Sequence, residues 1–155
     1  MLMVWFIMVT KQEKVKILFV CTGNACRSQM AEAWAIALKS DEIDVYSAGT
    51  HPAGDLRSRV VQVMTEAGVD MSDHWSKPID YWEGIVFDFV ITLCDHAQEY
   101  CPEFALPTQM IHKHIPDPMG IIGTDKQTMD VFRRTRDYIK AYVASLPECL
   151  AGNRV

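Results

Sequence analysis

The apolar residues of this chain fall into two alternating rhythms. Residues 15–20 are almost continuously apolar, the pattern of a strand buried on both faces. Residues 28–40 follow with a helical period: Met30, Ala33, Trp34, Ala37 and Leu38 recur at i, i+3, i+4, i+7 and i+8 and make one stripe. Residues 43–47 read as a second short strand closed by Ala48-Gly49, and 56–67 as a second helix stopped by Gly68 at its C′ position. A loop over 71–78, a short helix capped by Asp80 and reaching Gly84, and a third strand over 87–93 come next. Residues 109–115 make a weaker fourth strand. Thr124 or Asp125 then caps a long helix to about Leu146, with Met129, Phe132, Tyr138 (or Thr135), Ile139 and Val143 facing inward.

Strands alternating with helices predict βαβ units, hence a single-domain α/β fold: a four-stranded parallel sheet with helices on both faces. Such a sheet puts every strand's C-terminal end on one edge, where ligands bind. The loops over 21–28, 94–101 and 116–120 should converge there. The 155 residues suit one domain, placed at 14–150 behind a loosely ordered N-terminal extension over 1–13. The opening MLMVWFIMV is apolar but far short of the roughly 20 residues a membrane span needs, and it lacks the features of a signal peptide. It is read as an upstream start, with Met3 or Met8 as alternatives, or as a loose terminal segment.

A net charge of −5 without a Lys/Arg cluster argues against a nucleic-acid partner, and nothing points to a membrane. Five cysteines, Cys21, Cys26, Cys94, Cys101 and Cys149, form an odd set with no C-x-x-C pair. Without a secretory signal this predicts a cytoplasmic chain whose cysteines are catalytic or redox-active rather than structural. No further Cys/His set has ligand spacing, with His96, His112 and His114 scattered along the chain, so no metal is expected.

Between the first strand and the first helix lies CTGNACRS, residues 21–28, a C-x5-R-S loop. A loop wrapped on a helix N-terminus aims backbone N–H groups inward and makes an oxyanion cradle, here Thr22, Gly23, Asn24, Ala25, Cys26, Arg27 and Ser28. Gly23 permits backbone geometry that a Cβ would hinder. Arg27 clamps two anion oxygens with its planar fork. The same positive field favours thiolate at Cys21, and Ser28 can donate a hydrogen bond to the sulfur. The site thus holds a tetrahedral oxyanion above a nucleophile.

CTGNACRSQMAEAW resembles the active-site loop of the low-molecular-weight tyrosine phosphatase superfamily, which includes thioredoxin-coupled arsenate reductases. The SQMAE continuation looks more like the reductase branch, and the resemblance spans about residues 15–146. A phosphatase needs one cysteine, whereas reducing arsenate takes two electrons. TLC-DHAQEY-CP supplies two more thiols, Cys94 and Cys101, just past the third strand. A disulfide needs Cα atoms about 4.4–6.8 Å apart, so bridging this spacing requires a helical segment that unwinds. TLC-x6-CP closely resembles the redox segment of those reductases.

The resemblance implies a relay. Cys21 attacks arsenate bound by Arg27 and the loop amides. Cys94 attacks the adduct, releasing arsenite and leaving a Cys21–Cys94 disulfide. Cys101 then takes over the bond to Cys94, and thioredoxin reduces the Cys94–Cys101 disulfide. Glutaredoxin or a small thiol is the alternative reductant, and no tightly bound cofactor is expected. The implied protein is a monomer serving arsenic detoxification.

IPD117PM follows the fourth strand. Asp-Pro is a common turn, but the resemblance implies that Asp117 is the general acid. Phosphatases of the superfamily usually follow that motif with Tyr or Trp, whereas Met119 offers no aromatic wall. Some relatives bind potassium through residues matching Asn24, Glu32 and Ser47 together with an aspartate. Lys77 stands at the aspartate's position: either its ammonium sits where the ion would, or it is a solvated surface lysine. Cys26 and Cys149 read as small apolar filler. The alternative reading is a low-molecular-weight protein tyrosine phosphatase, and a third is a non-catalytic redox or arsenic sensor.

Overall fold

A computed structural model describes residues 11–153. The expectation for the apolar first nine residues lies outside the described residues, and 11–13 are exposed and irregular. The elements alternate as expected: β1 Val15–Cys21, α1 Arg27–Lys39, β2 Ile43–Gly49, α2 Ser58–Glu66, β3 Phe89–Thr92, α3 Asp95–Tyr100, β4 Gln109–His112 and α4 Asp125–Ala144. Short 3-10 turns span Ile79–Trp82, Pro118–Gly120 and Glu148–Asn153. The sheet is four-stranded and parallel in the order β2-β1-β3-β4.

β1 is buried on both faces because its alternate side chains serve two cores. Ile17 and Phe19 join α1, α2 and α4 in the larger one. Leu18 and Val20 join Phe87, Val90 and the short α3 in the smaller one. Burying a Leu, Ile or Phe fully contributes about 1.5–3 kcal/mol, so this strand anchors the fold. Strand order reverses at β1, with β2 on one side and β3 on the other. Its C-terminal end is therefore the switch point where open α/β sheets bind ligands. Cys21 is the last residue of that strand.

Thr124 caps α4 through a reciprocal capping box with Gln127, and Gly68 stands at φ +81° just past the C-cap of α2. Other expectations need correction. Asp80 is not an N-cap: Pro78 holds that position and Asp80 lies inside the turn. In α1 the last turn carries Ile36, Ala37 and Leu38 out to solvent, and Ala31 and Ala35 pack inward instead. Tyr138 is exposed, its ring lying near Lys113 Nζ rather than in the core. The third and fourth strands are shorter than 87–93 and 109–115, although single backbone hydrogen bonds from Leu93, Lys113 and Ile115 carry the pairing on towards the site. The closing 3-10 turn Glu148–Asn153 carries the chain past 150, and Leu150 within it packs in the larger core.

Candidate active site

The loop after β1 is held from outside. The carbonyls of Cys21, Thr22, Gly23 and Ala25 accept from the backbone N–H groups of Thr50, His51, Ala53 and Arg57. Ser76 Oγ also donates to the Gly23 carbonyl at 2.8 Å. With the carbonyls engaged on that side, the N–H groups of Gly23 to Cys26 have no hydrogen-bond acceptor among the described residues. Cys26, the N-cap of α1, makes no side-chain cap bond, so the helix start is open to an anion.

Asn24 is the keystone. It is fully buried at φ +47°, a left-handed conformation that Asn tolerates better than most residues. Its Nδ2 donates to Ser28 Oγ (2.8 Å) and Ser47 Oγ (3.0 Å). Its Oδ1 accepts from Gln29 Nε2 (2.9 Å) and the Lys77 N–H (2.8 Å). Since Ser28 Oγ accepts from Asn24, its own proton is free for Cys21 Sγ, 2.8 Å away.

The side chains of Asn24 and Ser28 point into the protein and brace the cradle from behind. One expectation about the loop changes here. Gly23 needs no glycine conformation, since a Cβ there would meet Ala53 at an ordinary 3.5 Å. The demanding glycine is Gly49 at the end of β2, where a Cβ would lie 2.6 Å from the Thr22 carbonyl.

The cradle opens into a cleft of about 260 Å³ walled by Cys21, Arg27, Asp117 and Met119. Arg27 Nη1 donates to the Ile115 carbonyl at 3.0 Å, and its Nη2 lies 3.9 Å from Asp117 Oδ2. Arg27 Nε is buried and has no hydrogen-bond partner among the described residues. Asp117 is 52% exposed and accepts from the Met119 N–H at 2.9 Å, placing its carboxylate at the cleft mouth. Cys26 lines the same cleft, but burial pushes its thiol pKa up, with the Cys21 charge adding. It stays a thiol. Cys149 is exposed and is not filler.

Cys21, Cys94 and Cys101 share the smaller apolar cluster. Cys94 is the N-cap of α3, accepting from the Ala97 N–H at 3.4 Å, and Thr22 Oγ1 sits 3.3 Å from its sulfur. Parallel pairing of Val20 with Thr92 accounts for this, because the next residues of both strands run side by side. Cys101 is the C-cap of α3, and burial pushes its thiol up to about 11. Seven helical steps of 1.5 Å separate it from Cys94 by roughly 10 Å, more than a disulfide allows. The two are not brought together here.

Lys77 is no solvated surface lysine. Its side chain is 4% exposed and its Nζ lies 3.9 Å from Glu32, itself 13% exposed. Nζ donates to the Trp75 carbonyl at 2.8 Å and sits 5.0 Å from the Trp75 ring centroid. Ser47 Oγ, which accepts from Asn24, donates to Glu32. The ammonium thus sits enclosed beside Glu32, whose carboxylate is linked through Ser47 to Asn24. Burial lowers the Lys77 pKa, and Glu32 opposes that shift.

Several groups escaped the sequence reading. Arg57 and His51 line the cleft from the segment beside the loop. His96 Nδ1 pairs with Thr22 Oγ1 at 3.2 Å, and its ring lies near His51 and Tyr100. His112 and His114 are not scattered either: both meet Asp95, and those hydrogen bonds hold its carboxyl pKa below the ordinary value. The pairings span 17 to 74 positions, and no local pattern marks them.

The profile of the low molecular weight phosphotyrosine protein phosphatases matches residues 16–154. An arsenate reductase of Halalkalibacterium halodurans is 42% identical over 135 residues, covering 87% of this chain and 96% of that one. A solved arsenate reductase in the phosphate-binding state superposes with a TM-score of 0.66 at 31% identity, over 91% of this chain and 99% of that one. One in an oxidized state gives 0.70 at 32% identity, over 84% and 95%.

Proposed function

The chain belongs to the low molecular weight phosphotyrosine protein phosphatase family, and from that premise we propose that it is an arsenate reductase working by a three-cysteine relay. The carrying observation is Cys94, a buried second thiol with the Thr22 hydroxyl of the cradle loop 3.3 Å from its sulfur. Hydrolysis of a phosphate monoester at Cys21 requires no second thiol.

Arsenate enters the cradle, where the free N–H groups, Arg27 Nε and the start of α1 meet its oxygens. Cys21, hydrogen-bonded by Ser28, attacks arsenic. A hydroxide leaves as water with a proton from Asp117 at the cleft mouth. Cys94 then attacks the Cys21 sulfur. The sulfur–arsenic bond breaks with its electron pair going to arsenic, so arsenic(V) becomes arsenic(III) and arsenite departs. The two thiols are oxidised to a Cys21–Cys94 disulfide. The Ala97 N–H and the Thr22 hydroxyl meet the Cys94 sulfur, with His96 beyond the hydroxyl to take the proton as the bond forms.

Cys101 next attacks the Cys94 sulfur, and Cys21 leaves as thiolate. The disulfide requires α3 to unwind, which is accessible because this helix is only six residues long. Thioredoxin reduces the Cys94–Cys101 bond by thiol–disulfide exchange; glutaredoxin or a small thiol is the alternative donor. No tightly bound cofactor takes part. A reducing, cytoplasmic setting suits five free cysteines, and the role is arsenic detoxification by a monomer.

The same cradle fits a phosphate monoester, which is the second reading, supported by the family itself. The discriminating experiment is arsenate-dependent NADPH consumption with the thioredoxin system against p-nitrophenyl phosphate hydrolysis. Reductase turnover abolished by Cys94→Ser, with oxyanion binding kept, supports the relay. Normal multiple turnover in Cys94→Ser refutes it.

A further inference from the structure

The first residue of α3 is tied across the sheet edge to the end of β4. Asp95 Oδ1 lies 3.1 Å from His112 Nε2 and 3.0 Å from His114 Nδ1. The three ligand-type atoms lie within 4.8 Å of one another. His112 and His114 are two positions apart, so an extended chain sends both side chains to the same face. β3–β4 register sets His112 opposite Thr92, two residues before Cys94.

The second nitrogen of His112 is also held. Nδ1 lies 2.8 Å from Thr92 Oγ1, a buried hydroxyl whose own proton has the Ile111 carbonyl as acceptor at 3.4 Å. Nδ1 thus has the Thr92 hydroxyl as its partner, which leaves Nε2 as the nitrogen presented to Asp95. Metal-bound imidazoles characteristically donate their other N–H to such a partner. His114 is 55% and Asp95 76% exposed, which leaves the outer side open to water as a fourth ligand.

We infer that Asp95, His112 and His114 form a site for a divalent cation of the zinc class, which pins the start of α3 to β4. Two imidazoles and a carboxylate suit zinc better than magnesium or calcium. The metal takes the neutral form of each imidazole, so its affinity falls as pH falls. The consequence for turnover rests on the proposed relay: a pinned Asp95 keeps α3 wound, so Cys101 cannot reach Cys94. Metal occupancy is then a brake on the reductase. The binding itself is independent of that reading.

The test is a titration of the full-length reduced protein with Co²⁺, displaced by Zn²⁺. One cation per chain is expected, with the visible spectrum of nitrogen and oxygen ligation and no sulfur-to-metal charge-transfer band. Affinity should fall at least about tenfold in His114→Ala, an exposed position, and in His112→Gln. A charge-transfer band unaffected by either substitution puts the cation on the cysteines and overturns the site, as does the absence of binding. With Zn²⁺ saturating, formation of the Cys94–Cys101 disulfide should slow at least tenfold in the wild type and recover in His114→Ala. Equal rates with and without zinc overturn the brake. Histidine-dependent binding in a protein that never reduces arsenate overturns the relay and leaves the site standing.

Discussion

Replacing Lys77 by alanine tests the pocket beneath the cradle. The substitution removes an ammonium that faces Glu32 at 3.9 Å and donates to the Trp75 carbonyl at 2.8 Å. It keeps the Lys77 backbone N–H on Asn24 Oδ1, so the keystone loses no direct contact. Both side chains of the pair are nearly buried, 4% and 13% exposed, so solvent screens the loss little. Breaking a buried pair by removing one partner costs about 3–5 kcal/mol. For a chain this long each kcal/mol moves Tm by roughly 2–4 °C, so the variant should melt about 6–20 °C lower.

If the ammonium stands in for a cation, the emptied pocket should accept one. Potassium at ten times its Kd would restore about 1.4 kcal/mol by mass action, or roughly 3–6 °C. The assay is thermal unfolding of wild type and Lys77→Ala in matched potassium and sodium chloride. Selective recovery by potassium in the variant alone is the expected outcome. A variant that melts within about 1 °C of wild type in both salts refutes the ion-pair argument. One that is destabilised but equally indifferent to both cations refutes the stand-in.

Two further expectations follow from the thiols. Ser28→Ala deletes the hydroxyl 2.8 Å from Cys21 Sγ; a hydrogen bond to a charged group contributes about 1.5–3 kcal/mol, so alkylation of Cys21 at neutral pH should slow about 10–100-fold, and an unchanged rate would show the bond idle. With Cys21 and Cys94 replaced by serine, iodoacetamide should reach Cys101 with a midpoint near pH 11 in the native state and near 9.0 in urea; a native midpoint near 9.0 would place the thiol in water. The folded state holds that proton more tightly than the unfolded chain does. Its contribution to stability is therefore intact below pH 9.0 and lost as pH rises through about 11.

The elements nearest the nucleophile were legible because their signals are local. A doubly buried strand, a C-x5-R-S loop and a helix stripe sit within residues 15–40, and β1 and α1 form almost where the pattern places them. Cys94 and Cys101 were legible as a pair, but not as the two caps of one short helix. What stayed hidden is settled by packing between distant segments. From the sequence Lys77 stands equally for an ammonium in an ion's place and for a solvated surface lysine, and only Trp75, Trp82 and Glu32 around its Nζ decide that it is enclosed. Gly49 carries no motif, and only the Thr22 carbonyl pressed against it explains the glycine. His112 and His114 had no partner until β4 paired with β3 and brought Asp95 alongside.

The most direct measurement of the central claim is one turnover of Cys101→Ser. This variant keeps the nucleophile and the second thiol and cannot pass the oxidation on. Mixed with excess arsenate and no reductant, it should release one arsenite per chain and stop, with peptide mapping finding a Cys21–Cys94 disulfide. Release of phosphate from a monoester without any disulfide after arsenate, or arsenite production that continues past one equivalent, would contradict the relay.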